Sequence, residues 1–311
     1  MKIITKTDRL YLREFIEDDA VHFFEMNNDP KILQYTGDIP FENFSQATDF
    51  IKNYEEYQNH KMGRWAVCLK KTDKFIGWCG LKFHPEKKIV EIGFRFYKEY
   101  WNKGYATESA KASLEYGFKK LYLPEIYAHA HINNSTSHKV INKCGLKFIK
   151  EFDYEGIPAN LYKIDNPYLD IKTIPSTATY PVRHTVLREG RPIEDCRFDH
   201  DDDPNTFHLG LYIDSDLLAV VTYLRNKCPE FKEDQFQLRG MAVLKYCQKR
   251  GFGNLLIHKG EQLLKQKGTK LVWCNVREVA VNFYKKNGFK IIGKPFVLPK
   301  IGLHYLMYKS I

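Results

Sequence analysis

The sequence predicts an α/β (α+β) protein built from two copies of one kind of domain. Its 311 residues exceed what one ordinary hydrophobic core organises. The order strand, glycine turn, helix, strand, helix and a closing KxGL or KxGF occurs twice. The turn glycines, Gly104 and Gly251, are 147 residues apart, which is too long a period for a solenoid. Duplication of a whole domain explains this spacing.

Elements of the first half follow from hydrophobic periodicity. Apolar residues spaced three to four apart predict a helix over 106–121, and Asn134 or Ser135 caps a second helix that ends at Gly145. An acidic helix start lies at Glu17. Alternating or apolar runs predict strands at 9–15, 64–70, 75–83, 89–96 and 127–132.

The second half repeats this order after a polar, proline-bearing stretch at 165–181. The predicted domains are therefore 1–165 and 176–311, with 166–180 as a linker that merges into the start of the second domain. A hairpin over 209–224 turns at Asp214–Asp216. Further strands are predicted at 236–243, 270–276 and 303–309, and helices at 251–266 and 279–288.

Composition restricts the class of protein. Hydrophobic residues make up 43% and charged residues 28%, which is typical of a globular chain. No apolar run approaches the roughly 18 residues of a membrane span, and MKIITKTDRL lacks the apolar core of a signal peptide. The seven cysteines include no CxxC pair, so neither a disulfide framework nor a metal site is expected. We therefore expect a cytoplasmic protein without a membrane partner.

Positive charge is concentrated near the end of the chain. The net charge is +10, and residues 225–311 carry 18 lysines and arginines against 5 acidic residues. A solvated surface, a polyanionic cofactor and a nucleic acid all fit such an excess. No RNA- or DNA-binding signature accompanies it, so a nucleic acid is disfavoured as a partner.

The glycine turns, YWNKGYATES and CQKRGFGNLL, have the chemistry of an anion site. Glycine at a strand-to-helix turn lets backbone N–H groups converge, and the helix N-terminus adds partial positive charge. Pyrophosphate suits such a turn. A dinucleotide fingerprint would need glycine at Leu256, and no GxxxxGK[ST] motif of nucleotide-triphosphate loops is present.

With these residues in view, both halves resemble GNAT-type acyl-CoA N-acyltransferases. Gln248 to Gly253 match the family's Q/RxxGxG/A turn in full, whereas Trp101 replaces its first residue in the first half. The first half is similar to ribosomal-protein and peptide N-terminal acetyltransferases over nearly all of 1–164. The second is similar to a less characterised bacterial branch through LREGRP, LRGMAV, NVREVAVNFYKKNGF and PKIGLHYLMYK.

The resemblance implies a fold, a cofactor and residues that bind it. The fold is a mixed, mostly antiparallel sheet flanked by helices in each domain, and the cofactor is acetyl-CoA. In the family, backbone N–H groups of a strand that diverges from its neighbour bind the pantetheine and the thioester oxygen. The residues expected to bind coenzyme A are Phe94, Phe96, Lys103, Gly104, Tyr105, Ala106, Thr107, Asn134, Ser137, Met241, Val243, Gln248, Lys249, Arg250, Gly251, Phe252, Gly253 and Asn254.

Acetyl transfer also needs a proton donor for the departing thiolate and a neutral amine. A tyrosine on the last helix serves as the donor in the family, and Tyr284 falls at that place. The first half has Ile141 there but keeps the family's asparagine as Asn134, whose counterpart is Arg277. Glu91 is a candidate general base in the first half, although a strand residue also faces solvent in many sheets. Ser137 contacts coenzyme A or the acceptor, or is only a serine in the first turn of a helix.

The acceptor is less well defined. His208, Arg239 and His304 lie in or beside strands that border the expected cleft. LREGRP offers two arginines that either recognise a carboxylate or fix the end of a helix by ion pairing. We expect an N-acetyltransferase that acts on a primary amine of a small molecule or a peptide N-terminus. In an alternative, one half is catalytic and the other only binds coenzyme A or serves as a scaffold.

Overall fold

One mixed sheet organises each half of the chain. The structure is a computed structural model that describes residues 1–298 and 302–311. Residues 1–167 and 168–311 form two separate units. The first three residues of the PKIGLHYLMYK segment, 299–301, lie outside the described residues.

All residues of the first unit are described, and they form an eight-stranded sheet in the order β1-β2-β3-β4-β5-β6-β8-β7. Its strands are β1 (Ile3–Lys6), β2 (Leu10–Arg13), β3 (Arg64–Leu69), β4 (Phe75–His84), β5 (Ile89–Phe96), β6 (Glu125–His131), β7 (Lys147–Tyr154) and β8 (Ile157–Asp165). The helices are α1 (Ala20–Asn27), α2 (Pro30–Leu33), α3 (Phe44–Lys52), α4 (Glu56–His60), α5 (Tyr105–Lys119) and α6 (Ser135–Lys143).

Helices cover both faces of this first sheet. Side chains alternate between the two faces along a strand. In β3, Ala66 and Cys68 are buried in the core formed with α1 and α3. The neighbouring Trp65 packs its ring edge-on against Tyr116 of α5, with ring centroids 5.3 Å apart. The strand is buried from both sides, so it fixes where α5 and the turn before it lie.

The described residues of the second unit form a seven-stranded sheet in the order β14-β15-β13-β12-β11-β10-β9. Its strands are β9 (Leu169–Ile174), β10 (Phe207–Ile213), β11 (Asp216–Leu224), β12 (Gln235–Val243), β13 (Leu271–Arg277), β14 (Lys290–Leu298) and β15 (Gly302–Ser310). The helices are α7 (Tyr180–Leu187), α8 (Phe252–Gln266) and α9 (Val281–Lys286).

The segment predicted as linker and start of the second domain contains a strand. Strand β9 pairs antiparallel with β10, with Leu169 opposite Ile213 and Ile174 opposite His208. Leu169 and Ile171 are half-buried and alternate with exposed Asp170 and Lys172, the pattern of an edge strand with one covered face. Residues 169–174 are therefore part of the sheet, although the proline and the polar side chains of this stretch predicted a linker.

The predicted mixed, mostly antiparallel architecture is confirmed. Strands β5 and β6 pair in parallel in the first sheet, as do β12 and β13 in the second, and the other described pairs are antiparallel. Among residues 1–298 and 302–311, no helix has the length and apolar character that crossing a membrane requires.

Candidate active site

The parallel pair at the centre of each sheet separates after a few residues. In the first unit, β5 and β6 share one register position, Glu91 opposite Tyr127. In the second, β12 and β13 are paired only from Gln235 to Gln237 on the β12 side. Beyond these points the strand edges face a gap, so backbone groups of 94–96 and 241–243 are available to a ligand. These are the strand residues that the sequence indicated.

A glycine turn follows the separated strand in each unit, and the two turns have the same backbone. Gly104 has φ +83° and Gly251 has φ +86°. Two residues earlier, Asn102 (φ +58°) and Lys249 (φ +63°) also lie in the left-handed region. Helices α5 and α8 then begin at the next residue and are both 15 residues long. The first amide groups of each helix have no partner within the helix and point into the turn.

The substitution of Trp101 for the glutamine of the motif preserves one hydrogen bond. The indole Nε1 of Trp101 donates to the carbonyl of Phe96 at 2.8 Å. The amide Nε2 of Gln248 donates to the carbonyl of Val243 at 3.1 Å. Both bonds span five residues and tie the turn to the last carbonyl of its strand. Both residues at the first position of the motif thus supply a donor to the same carbonyl position.

A groove of about 530 Å³ runs along the first unit's turn. Most residues that the sequence assigned to coenzyme A in this half line the groove. Three cations, Lys31, Lys139 and Lys143, also line it. Lys103 does not line it, and its Nζ lies over the ring of Tyr100, 5.6 Å from the centroid. The predicted residues that do line it are Phe94, Phe96, Gly104, Tyr105, Ala106, Thr107 and Asn134.

In the second unit the turn carries an unsatisfied cation. Nη1 of Arg250 is buried and has no hydrogen-bond partner among the described residues, and burial lowers the pKa of this guanidinium. Lys249 and Asn254 are exposed, whereas the Phe252 ring and Gly253 are buried. Phe252 can therefore offer a ligand its backbone but not its side chain. A guanidinium with a buried, unpartnered Nη1 beside free helix amides suits an anion.

Tyr284 lies where the family resemblance places a proton donor. Its side chain is 8% exposed, and its hydroxyl is 3.9 Å from Sδ of Met241 on the separated edge of β12. Burial raises the pKa of this phenol well above its usual value, so the phenol is protonated at neutral pH. Ile141, at the corresponding position of the first unit, is buried and has no proton to give.

Glu91 is buried at the point where β5 and β6 separate. Its carboxylate lies 2.8 Å from Nη2 of Arg64, 2.9 Å from Nε2 of His84 and 3.1 Å from Nδ1 of His129. Burial alone raises the pKa of Glu91, but the Arg64 charge and hydrogen bonds from the two histidines outweigh it and hold the pKa well below its usual range. A carboxylate this strongly paired is a weak base and a strong electrostatic anchor.

A cavity of about 1000 Å³ opens onto Glu91 in the first unit. Glu91, Asn134, Ser137 and Ile141 all line it. Asn134 caps α6, since its Oδ1 accepts a hydrogen bond from the backbone N–H of Ser137 at 3.0 Å. The cap fixes the backbone of Ser137, and that residue belongs to this cavity rather than to the groove at the turn.

The three acceptor candidates of the second unit differ in accessibility. Burial lowers the pKa of His208, whose Nδ1 lies 2.7 Å from Oγ1 of Thr222 and whose Nε2 lies 2.9 Å from the carbonyl of Asp201. His304 is buried as well, with Nδ1 2.8 Å from the carbonyl of Gly302. This geometry does not support direct contact of His208 with an acceptor, because both ring nitrogens are occupied. Arg239 remains half-buried.

Several residues that surround the two sites were not predicted from the sequence. Arg64, His84 and His129, which surround Glu91, are contributed by β3, β4 and β6. Phe198 and Asp201 come from a loop without regular structure. Side-chain alternation along β4 and β6 predicts which face of its strand each histidine occupies. Only the strand order, in which β5 lies between β4 and β6, shows that both histidines are next to Glu91.

Comparison with known proteins gives matches over most of the chain. Residues 9–147 match the family model described as Acetyltransferase (GNAT) domain, and residues 170–289 match the model described as Acetyltransferase (GNAT) family. A Bacillus subtilis (strain 168) protein named "Uncharacterized N-acetyltransferase YitI" is 37% identical over 144 residues, which cover 46% of this chain and 97% of that protein.

Two further matches have the same extent. "Uncharacterized N-acetyltransferase p20" of Bacillus licheniformis is 32% identical over 163 residues, covering 51% of this chain and 90% of the relative. A crystal structure of spermidine N-acetyltransferase from Vibrio cholerae, in complex with CoA and spermine, is 21% identical with a TM-score of 0.45. It covers 51% of this chain and 97% of that structure.

The role of Trp101 is tested by exchanging its donor and its ring separately. Trp101→Gln keeps a donor for the Phe96 carbonyl, whereas Trp101→Phe keeps an aromatic ring and loses the hydrogen bond. We expect Trp101→Phe to be the more destabilising change, by about 1 kcal/mol in the free energy of unfolding, measured by denaturant titration. The opposite order would show that the ring, and not the donor, matters at this position.

The pairing of Glu91 predicts acid sensitivity. A carboxylate whose pKa is depressed in the folded state adds stability above its unfolded pKa, near 4.5, and this stability is lost as the pH falls below that value. Glu91→Gln should flatten the decline in unfolding free energy below pH 4.5 and cost about 3 kcal/mol at pH 7. Glu115→Gln, which alters a 57% exposed side chain, is the control. An unchanged acid slope in Glu91→Gln contradicts the assignment.

Proposed function

The chain belongs to the GNAT family of N-acetyltransferases, and from this premise we propose that both units bind acetyl-CoA at their glycine turns. We further propose that the second unit transfers the acetyl group directly to a primary amine of a small molecule or a peptide. The observation that carries the proposal is the repeated turn, with left-handed residues at 102 and 104 and again at 249 and 251.

The residues of each turn fit a pyrophosphate. A ligand anion at Gly251 would meet the first amides of α8 and satisfy the buried Nη1 of Arg250. At Gly104 it would meet the first amides of α5, with Lys139 and Lys143 along the same groove. Helix N-termini and nearby cations both favour negative charge. Glycine keeps the centre of each turn free of a Cβ atom.

The separated strand edges suit the acyl end of the ligand. Phe94–Phe96 and Met241–Val243 pair with β4 and β11 on one side, and on the other side they have lost the parallel partner strand. Acetyl-CoA supplies the acetyl group as a thioester. The strand amides orient it, and an N–H directed at its carbonyl oxygen would stabilise the negative charge that develops during attack by the amine.

Tyr284 completes the second unit. Transfer breaks a C–S bond and forms a C–N bond, so the amine loses one proton and the thiolate gains one. The Tyr284 hydroxyl, protonated at neutral pH and beside the Met241 edge, is the donor that we assign to the thiolate. We assign the proton of the amine to water, since the residues described in contact with Tyr284, namely Met241, Phe283 and Phe289, carry no base.

Ile141 supports a second candidate function for the first unit. With no hydroxyl at that position, the unit would keep the groove at Gly104 and lack the proton donor of the second unit. It would then bind coenzyme A or support its neighbour without catalysing transfer at a comparable rate. A catalytic role of Glu91 in the first unit would contradict this second candidate function.

Binding stoichiometry tests the proposed turns. Calorimetric titration with acetyl-CoA should give two sites per chain. Gly251→Val should abolish one of them, an affinity loss of about 100-fold or more, because a side chain would stand among the backbone donors. Gly104→Val should abolish the other. One site in the native chain favours the second candidate, and the two variants identify which unit retains it.

The controls carry the same backbone strain away from the turns. Gly268 (φ +76°) and Gly156 (φ +88°) are also left-handed and have open space where a Cβ would lie. Gly268→Val and Gly156→Val should retain both sites. Loss of binding in these variants too would mean that strain alone explains the result, and retention of both sites in Gly251→Val excludes the turn as a binding site.

The role of Tyr284 is tested with Tyr284→Phe, which removes only the hydroxyl. We expect kcat of the second unit to fall about 100-fold, with KM for acetyl-CoA changed less than about threefold, because the hydroxyl acts on the leaving group and not on binding. Tyr223→Phe removes another buried phenol of the same unit and should leave kcat unaltered. Equal kcat in Tyr284→Phe and the native chain assigns the proton donor elsewhere.

A further inference from the structure

Three arginines of the second unit surround one aromatic ring. The guanidinium carbon of Arg183 lies 4.2 Å from the centroid of Phe198, that of Arg239 lies 4.7 Å away, and that of Arg188 lies 5.1 Å away. Arg183 belongs to α7, Arg188 follows the end of α7, and Arg239 belongs to β12. We call Phe198 and these three arginines the arginine cluster.

One of the three charges is neutralised within the protein. Arg183 is fully buried and bound through two nitrogens to Asp201, at 2.5 and 3.2 Å, and it also donates to Thr222. The buried His208 supports this pair by contacting Thr222 and the Asp201 carbonyl. Arg183 is therefore a structural member of the cluster, with its charge already matched.

The other two arginines have only backbone acceptors in the described chain. Arg239 donates to the carbonyl of Asp199 at 3.0 Å. Arg188 donates to the carbonyls of Leu187 at 3.0 Å and Asp195 at 3.3 Å. Glu189, the acidic residue nearest to Arg188 in sequence, pairs with Lys245 instead. The alternative in which LREGRP fixes the helix end by arginine–carboxylate pairing is therefore not supported.

Two half-buried guanidiniums that form no ion pair with a carboxylate are costly, even though Asp199 and Asp201 near Arg239, and Asp195 near Arg188, offset part of the effect of burial. Burial lowers the pKa of Arg239 from its usual value, and burial together with the charges of Arg191 and Arg277 does the same for Arg188. A guanidinium that binds a carboxylate can form two parallel hydrogen bonds with it. These bonds compensate for the hydration that the guanidinium loses on burial. The cluster is thus suited to an anion that arrives with a ligand.

The cluster borders the separation of β12 from β13. Between Arg239 and Ala242, β12 bulges, since these residues lie opposite Thr222 and Val220 of β11. Met241, within the bulge, is the residue that Tyr284 contacts. Arg277 is the last residue of β13, on the other side of the gap. Arg239 lies two residues before Met241 on β12, so the cluster and the proposed place of attack share one stretch of strand.

We propose that the acceptor of the second unit is a small amine that also carries a carboxylate, such as an amino acid, and that Arg188 and Arg239 bind this carboxylate. The inference rests on the function proposed above. The carboxylate fixes the acceptor while its amine, as the free base, faces the separated edge of β12. Arg188 and Arg239 contact the acceptor away from the reacting nitrogen, so they determine specificity and orient the substrate.

The experiment uses the full chain with its first unit silenced by Gly104→Val. Thiol release from acetyl-CoA is measured with amino acids, with the corresponding amino-acid amides, and with spermidine as an amine that lacks a carboxylate. We expect at least one amino acid to be acetylated, with kcat/KM about 10- to 100-fold above that of its amide, the loss typical of a charge-assisted contact. A chain silenced by Gly251→Val should lose this activity.

Variants then assign the preference to the cluster. Arg239→Gln and Arg188→Gln should each lower kcat/KM for the amino acid about 10- to 100-fold, mainly through KM, and change kcat/KM for the amide less than threefold. Arg239→Lys should recover part of the loss. Arg197→Gln alters an exposed arginine that pairs with Asp202, and it should behave like the native chain.

The outcomes separate this inference from the proposed function. Absence of acetyl-CoA binding at the Gly251 turn in calorimetry overturns both. Binding together with equal rates on amino acids and amides, or with acetylation of spermidine and no amino acid, overturns the inference alone. A loss of acetyl-CoA affinity in Arg239→Gln equal to the loss in kcat/KM would assign the cluster to the donor, which also overturns it.

Discussion

Each half of this protein depends on a parallel strand pair that comes apart in the middle of its sheet. Backbone N–H and C=O groups need partners, so a strand edge left open inside a sheet must be satisfied by water or by a ligand. The parallel contact ends at Glu91 in one unit and at Gln237 in the other. The glycine turn follows a few residues later in both. The fold thus leaves backbone N–H groups of the strand exposed along one edge. The glycine turn and the N-terminus of the next helix follow this edge directly.

Both units place an arginine–carboxylate pair beside this opening, but the carboxylate comes from different elements. An arginine, half-buried in the first unit and fully buried in the second, approaches the strand glycine in each: a Cβ on Gly93 would lie 2.7 Å from the Arg64 guanidinium, and one on Gly240 would lie 3.2 Å from Nε of Arg183. In the first unit the matching carboxylate, Glu91, is on the strand itself and lines the cavity. In the second it is Asp201, in a loop, and Leu238 holds the position 147 residues after Glu91. The carboxylate that pairs with this arginine is therefore on the strand in the first unit and in a loop in the second.

The elements that the sequence predicted best are those with a strong local signal. Strand β5 has the predicted bounds 89–96, and the glycine turns lie where the motif indicated, because alternation and positive φ are encoded by neighbouring residues. Strands β7 and β14 were not predicted, because most of their side chains are exposed and show no apolar alternation. The surroundings of Glu91 and Phe198 were also beyond sequence reasoning. Their partners lie on other strands or in a loop, and only strand order and burial bring them together.

Comparing the two turns separates what binding requires from what chemistry requires. Trp101 and Gln248 differ in size and polarity, yet each donates one hydrogen bond to the same carbonyl position. The turn backbone is the same in both units despite this exchange. Tyr284 and Ile141 are both buried residues on a helix. Isoleucine in place of tyrosine keeps an apolar side chain at this position but removes the hydroxyl. A duplicated domain can therefore keep its anion turn through side-chain substitutions, since the turn is made of main chain. The proton donor that we propose is a single side-chain oxygen, so under that proposal the duplicated units can diverge in catalysis while both retain the backbone of the turn.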